Sequence, residues 1–424
     1  MNEFTAKITL LFTDKQLRNR LLFVAGALFV SRVLAAIPTP GIDAAQLAVF
    51  FQNSQFLGLL NLFSGGGLSN LSIVLLGVGP YITSSIIMQL MTLLIPKLKE
   101  MYQEEGEAGR QKFSQYSRLL TLPIALVQGT GFLVLLQREG VLSALSPMQF
   151  AINILVVTAG SMLLMWIGEL ISEFGLGNGV SLIIFAGIVA RLPQAISQAL
   201  FTFSPSQLPA YLGFIIAALA IVAAVVFVTE AERPVPVTYA KRVRGMKVYG
   251  GTSTYLPLRL NQAGVIPIIF ALSLLLLPQM VASFFATSVA HPLLAHISQV
   301  VLGILQNLAL YGILYFLFVF LFTYFYTAVT FDPSQIAEQL QRGGAFIPGV
   351  RPGTSTVEYL AQVITRITFV GAAFLGIIAV LPIIMQGLTG IQSLTIGGTA
   401  LLIVVSVVLD LARRVDAQLS IREY

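Results

Sequence analysis

Ten stretches of mainly apolar residues, parted by polar or Gly- and Pro-rich joints, run through this chain. They lie at approximately 21–38, 70–95, 118–137, 149–170, 179–198, 211–230, 262–285, 302–328, 363–384 and 395–412. About 20 apolar residues in a helix cross ~30 Å of hydrocarbon, so the pattern predicts an all-α membrane protein with ten transmembrane helices. Residues 1–20 read differently. Phe4, Ile8, Leu11 and Phe12 interleave with Lys7, Lys15, Arg18 and Arg20, the pattern of a short cytoplasmic amphipathic helix on the membrane surface, not of a cleavable signal peptide.

Two of the ten stretches carry the same interruption. Gly77-Val78-Gly79-Pro80 lies in the second and Gly264-Val265-Ile266-Pro267 in the seventh. Gly lacks a side chain and Pro lacks an N–H, so both loosen a helix. Inside a bilayer such loosening is tolerated where protein or a cavity satisfies the freed backbone groups. Five spans per half is an odd number, so two similar halves must be inverted. The matched elements then point to a pathway between inverted repeats. The halves are 21–198 and 199–412, with a tail at 413–424.

Composition agrees. The chain is 56% hydrophobic and 10% charged, with a mean hydropathy of +0.87, against roughly 25% charged residues in a soluble domain. It has no cysteine, which excludes disulfides and thiolate metal sites. The net charge of +6 is explained by distribution. Of the 24 Lys and Arg residues, 21 fall at the N-terminus, in the joints after the second, sixth and eighth stretches, or in the tail. Arg138 and Arg191 lie on the other side, and Arg32 is inside the first stretch. The positive-inside bias places both termini in the cytoplasm.

Charges within the stretches are few, among them Arg32, Glu169, Arg366 and Asp410, most of them near predicted ends. An ion-coupled pump or an intramembrane protease needs more such groups, so an enzyme is not expected, nor any metal or cofactor. A secondary transporter for a small solute is the main alternative. It also uses inverted repeats, but it needs polar ligands at mid-membrane.

Residues 38–70 contain no Lys or Arg. Within them, 56–63 form an apolar run too short to span, followed by Ser64-Gly65-Gly66-Gly67. That run is read either as a re-entrant or mobile element or, more simply, as an interfacial loop anchored by Phe. Val78 and Ile82, and likewise Ile184 and Ile188, are four apart and so share a helical face. By spacing alone such pairs are lipid-facing or core aliphatics more often than a pore lining. The joints at 231–261 and 330–362 are long, basic and rich in Gly and Pro. Basic joints beside a membrane mostly reflect topology and anionic lipid; these also suit a docking platform of defined turns for RNA phosphate or an acidic protein surface.

Several motifs have a known counterpart. The runs Trp166–Val189 (WIGELISEFGLGNGVSLIIFAGIV) and Leu76–Leu90 (LGVGPYITSSIIMQL) resemble hallmarks of the SecY family of protein-translocation channels. So do Tyr239-Ala-Lys-Arg242, Ala263–Pro267 (AGVIP), Gly344–Gly353 (GAFIPGVRPG) and Gly397–Val404 (GGTALLIV). The resemblance runs through essentially the whole chain in order.

It implies two inverted five-helix halves around an hourglass pore in a bacterial inner membrane. The pore ring maps by motif position to Val78, Ile82, Ile184, Ile188, Ile269 and Ile403. A plug helix near 58–70 is implied, with Leu60, Leu62, Phe63, Ser64, Gly65, Gly66 and Gly67. A lateral gate is implied between spans 2 and 3 and spans 7 and 8, with Ser84, Ser85 and Gln128 as its polar candidates. Lys241, Arg242, Arg244, Lys247 and Arg351 are the implied docking residues for the SecA motor or the ribosome. SecE and SecG are the implied subunits, and the implied cargo is unfolded preprotein with its signal sequence. Hydrophobic segments would leave sideways into the lipid bilayer.

Overall fold

Asp14 starts the first long helix. Its carboxylate accepts from the backbone N–H groups of Gln16 and Leu17 at 2.8 and 3.3 Å, the bonding an N-cap supplies, and α1 (Lys15–Ala36) follows. Residues 15–20, expected in a separate surface helix, are therefore the first turns of α1. The structure, a computed structural model, describes the chain except residues 1–13, 41–70, 139–141, 143–144, 194–196, 198–207, 240–241, 245–246, 250–252, 265, 286–291, 390–391 and 421–424.

The remaining helices are α2 (Gly79–Leu94), α3 (Pro96–Gln103), α4 (Gly106–Arg138), α5 (Pro147–Phe174), α6 (Gly179–Val189) and α7 (Leu208–Glu230). In the second part they are α8 (Ile266–Phe285), α9 (Pro292–Gln306), α10 (Leu308–Thr330), α11 (Pro333–Arg342), α12 (Thr354–Thr389) and α13 (Gln392–Ser420). Each predicted stretch holds one main helix, α1, α2, α4 to α8, α10, α12 or α13, of which α6 has only 11 residues. Among the described residues, five helices are individually long and apolar enough to cross a membrane: α1, α4, α5, α10 and α12.

Two stretches differ from expectation, for local reasons. In the second, residues 71–78 are a run of turns, and α2 begins only at Gly79. It stops before Pro96, which has no N–H to continue it, and α3 leaves at 115°. In the eighth, the predicted 302–328 straddles a break. The Asn307 side chain caps α10, accepting from Ala309 and Leu310 at 3.0 and 3.2 Å, so α9 is a separate helix.

The halves meet along two seams. On one side α8 packs against α2 and α4; on the other α13 packs against α6. A single large core lies between them, built from α1, α2, α5, α6, α8, α10, α12 and α13.

The fold is not purely helical. The joint after α7 contains β1 (Glu232–Tyr239), β2 (Arg242–Arg244), β3 (Lys247–Tyr249) and β4 (Ser253–Arg259), and the joint after α11 contains β5 (Ala345–Phe346). β1 pairs antiparallel with β4 from Glu232↔Arg259 to Thr238↔Ser253, and with β5 at Thr238↔Phe346 and Tyr239↔Ala345. The sheet order is β4-β1-β5, with β2–β3 a separate hairpin. Val235, Val237, Leu258, Ala345 and Ile347 pack onto Leu360, Val363 and Ile364 of α12 as a second core. Two joints read as turns are thus one small module.

Candidate functional site

The two Gly/Pro elements have the same backbone form. Gly77 and Gly264 adopt φ of +58° and +62°, a region open to Gly at little cost. Each lies two residues before a helix, and Pro80 and Pro267 each occupy that helix's second position. Proline is tolerated there because the N–H it lacks has no helical partner in the first turn. The elements are therefore helix starts, not breaks within helices.

The six residues mapped to the pore ring all lie in the large core that these starts border. Val78 precedes α2, Ile82 is on α2, Ile184 and Ile188 are on α6, Ile269 is on α8, and Ile403 is on α13. All six are at most 6% exposed and belong to the core between the halves. No charged or polar side chain is among them. Such a set offers an ion no ligand in exchange for its hydration shell.

The turn run 71–78 is held from both sides. Thr39 donates its N–H and its hydroxyl to the Leu71 carbonyl oxygen at 2.7 and 2.6 Å, and Ile73 N–H donates to the Ile37 carbonyl at 3.0 Å. A bridge between Pro38 and Ser72 closes the segment between them at its base. On the other side the Ser161 hydroxyl of α5 donates to the Gly77 carbonyl at 2.8 Å. Gly160 lies so close that a Cβ there would stand 2.0 Å from the Ile73 carbonyl oxygen. The predicted plug residues Leu60, Leu62, Phe63, Ser64, Gly65, Gly66 and Gly67 lie outside the described residues.

The seam between α4 and α8 holds an apolar groove of about 580 Å³, lined by Leu120, Ile124, Val127 and Gln128 of α4 and by Leu277, Val281 and Phe285 of α8. Of the polar gate candidates, only Gln128 lines it. Its amide also donates to the Thr83 hydroxyl at 3.3 Å. Ser84 is fully buried and donates to the Ser117 carbonyl of α4, so its hydroxyl joins two helices of one half. Ser85 is half-buried on α2.

At the end of the bundle that carries the basic joints, a polar cavity of about 270 Å³ opens beside Asn178, Asn261, Gly264, Asp410 and Arg414. Asn178 caps α6 by accepting from Ser181 at 3.1 Å. The Asn261 amide donates to the Gly264 carbonyl at 3.2 Å, holding the turn that starts α8. Arg413 pairs with Glu230 at 2.8 Å and also donates to the Thr229 carbonyl, tying α13 to α7. Arg414 pairs with Asp410 at 2.9 Å. The Glu230–Arg413 pair could not be read from the sequence, because its members are 183 positions apart.

The docking candidates are dispersed over the module. Arg242, Arg244 and Lys247 are on the β2–β3 hairpin, with Arg244 paired in register to Lys247. Lys241 lies outside the described residues. Arg351 is exposed between Gly349 and Gly353, both at positive φ, and its carbonyl accepts from the Thr356 hydroxyl at 2.9 Å.

Residues 72–412 match the family model for SecY. The chain is 41% identical to the protein translocase subunit SecY of Mycobacterium tuberculosis, over 96% of each protein. It is 43% identical to that of Thermus thermophilus, over 96% of this chain and 94% of the relative. Among solved structures it resembles a protein-conducting channel, with a TM-score of 0.64 at 19% identity over 93% of this chain and 90% of that one. It also resembles Sec61 in a canine ribosome–channel complex, with a TM-score of 0.60 at 18% identity over 93% and 90%.

Proposed function

This chain belongs to the SecY family of protein translocases, and from that premise we propose that it is the protein-conducting channel of a bacterial inner-membrane translocase. Unfolded preprotein passes between the two halves, and hydrophobic segments leave sideways into lipid between α2 and α4 on one side and α8 and α10 on the other. The observation that supports this reading is the burial of Val78, Ile82, Ile184, Ile188, Ile269 and Ile403 in one core to which both halves contribute.

The mechanism follows from the chemistry of that set. A dry aliphatic collar opposes ion passage because no ligand replaces hydration water. It yields around a polypeptide because methyl groups form no specific bonds that must first be broken. Residues near 58–70 would supply the plug that closes the resting channel. Sideways release requires α8 to part from α4, and the groove at Gln128 and Val281 marks the line of parting.

The chain itself hydrolyses nothing in this reading; its energy comes from partners or from the proton-motive force. The SecA motor and the ribosome dock on the sheet module, with Arg242, Arg244, Lys247 and Arg351 nearest the contact. SecE clamps the two halves from outside, SecG is a third subunit, and both termini face the cytoplasm.

The absence of native cysteine makes one test direct. A cysteine at Ile184 and another in a preprotein stalled part-way are oxidised together. A disulfide between them puts the translocating chain at the collar. If the stalled chain is bound but no collar position cross-links, the path lies elsewhere.

A further inference from the structure

Helix α9 presents three different faces. At 3.6 residues per turn, Leu293, Ile297, Val300 and Ile304 fall in one stripe, and they are 77%, 56%, 49% and 40% exposed. His296, Gln299 and Gln306 form a second, polar and exposed stripe. The third face packs inward: Ser298 is 7% exposed, and Leu305 lies against the main core. A helix on a protein surface in water needs only an apolar face inward and a polar face outward. A second, outward apolar stripe beside the polar one requires a second apolar medium.

The position of α9 identifies that medium. It begins shortly after Phe285 of α8 and ends at Asn307, the cap of α10. Both attachments are at the end of the bundle opposite the basic joints, and α9 packs against α8 and α10. The neighbouring helices continue the apolar exposure, at Val281 of α8 and at Leu310, Ile313 and Leu317 of α10, all at least 44% exposed. Where α8 and α10 cross the bilayer, the apolar phase beside them is lipid.

We infer that α9 lies in the interface of the outer leaflet, with Leu293, Ile297, Val300 and Ile304 in the acyl region and His296, Gln299 and Gln306 toward water, the arrangement of an interfacial amphipathic helix. This rests on the membrane-spanning reading of α8 and α10 given above. The consequence concerns lateral release. α8 forms one wall of the groove against α4, and α9 tethers its outer end to the leaflet. Any sideways displacement of α8 must drag α9 through the headgroup region, so outer-leaflet packing sets part of the resistance to opening.

The test uses the full chain in its translocase complex, reconstituted in phosphatidylethanolamine–phosphatidylglycerol vesicles. Single cysteines at Ile297, Gln299 and Leu317 carry an environment-sensitive fluorophore, quenched either by aqueous iodide or by lipid spin-labelled near the headgroup or at mid-chain. At Ile297 we expect a blue-shifted emission and several-fold stronger quenching by the shallow-labelled lipid than by iodide. Gln299 should show the reverse, and Leu317 should respond to the mid-chain label. Iodide quenching at Ile297 equal to that at Gln299 would overturn the inference. Quenching there by neither agent would also overturn it, since the stripe would then be covered by protein. A water-exposed Leu317 would overturn the spanning of α10 itself, a failure distinguishable from the other two.

Discussion

The Ser161 hydroxyl donates to the Gly77 carbonyl oxygen at 2.8 Å, joining residues 84 positions apart in the chain. Gly77 stands next to Val78, the first member of the proposed collar, so this one bond ties the neighbouring backbone to α5. The Gly77 carbonyl is buried beside a turn and has no helical partner of its own. Ser161→Ala leaves it unsatisfied, at a cost of roughly 1–3 kcal/mol. We expect a lower thermal midpoint for the purified complex and a higher ion leak through resting vesicles, read by a potential-sensitive dye.

Gly160→Ala should be worse. A Cβ would meet the Ile73 carbonyl at 2.0 Å and the Ile73 carbonyl carbon at 2.8 Å, and backbone atoms cannot swing aside as a side-chain tip can. The turn run 71–78 must shift as a unit, carrying Val78 with it. Overpacking of this kind typically costs about 1–3 kcal/mol. Single-channel recording in planar bilayers should then show resting openings, whereas Gly213→Ala, with nothing within 4 Å of the added Cβ, should leave the resting state closed.

Polar substitution of the collar tests its dryness. In Ile184→Ser combined with Ile188→Ser, hydroxyls replace two of the six aliphatic side chains on one helix face. Water and small ions then find ligands at the constriction. Ion conductance of the resting channel should rise clearly. The conservative Ile184→Val and Ile188→Val pair should stay tight, since it removes volume but not apolar character.

Arg413 and Glu230 can be separated by a double-mutant cycle. Their side chains are 23% and 55% exposed, so solvent screening limits the pair to about 0.2–1 kcal/mol. Arg413 also donates to the Thr229 carbonyl, which Glu230 does not. Arg413→Ala should therefore destabilise the complex more than Glu230→Ala in thermal unfolding. Equal losses would mean that the Thr229 contact carries no weight.

Much of this protein was legible in the chain alone. The apolar runs marked where the main helices lie, because leaving water is a local transfer free energy of the residues concerned. The Gly77–Pro80 and Gly264–Pro267 elements were visible as matched irregularities. Their true nature as helix starts was not, because Gly and Pro at a helix start and within a helix look alike in one dimension.

Other features depended on contacts between distant segments. β1 contains Pro234 and Pro236, which argue against a strand, and it persists because β4, β5 and α12 supply its partners. The bond from the Ser84 hydroxyl to the Ser117 carbonyl of α4 joins residues 33 positions apart and is invisible in one dimension. The collar itself is the clearest case. An isoleucine at 184 or 403 has the same transfer energy facing lipid, packing in a core, or lining a path. Sequence determined that these residues leave water; only the tertiary arrangement decided that all six are buried in the one core shared by the two halves.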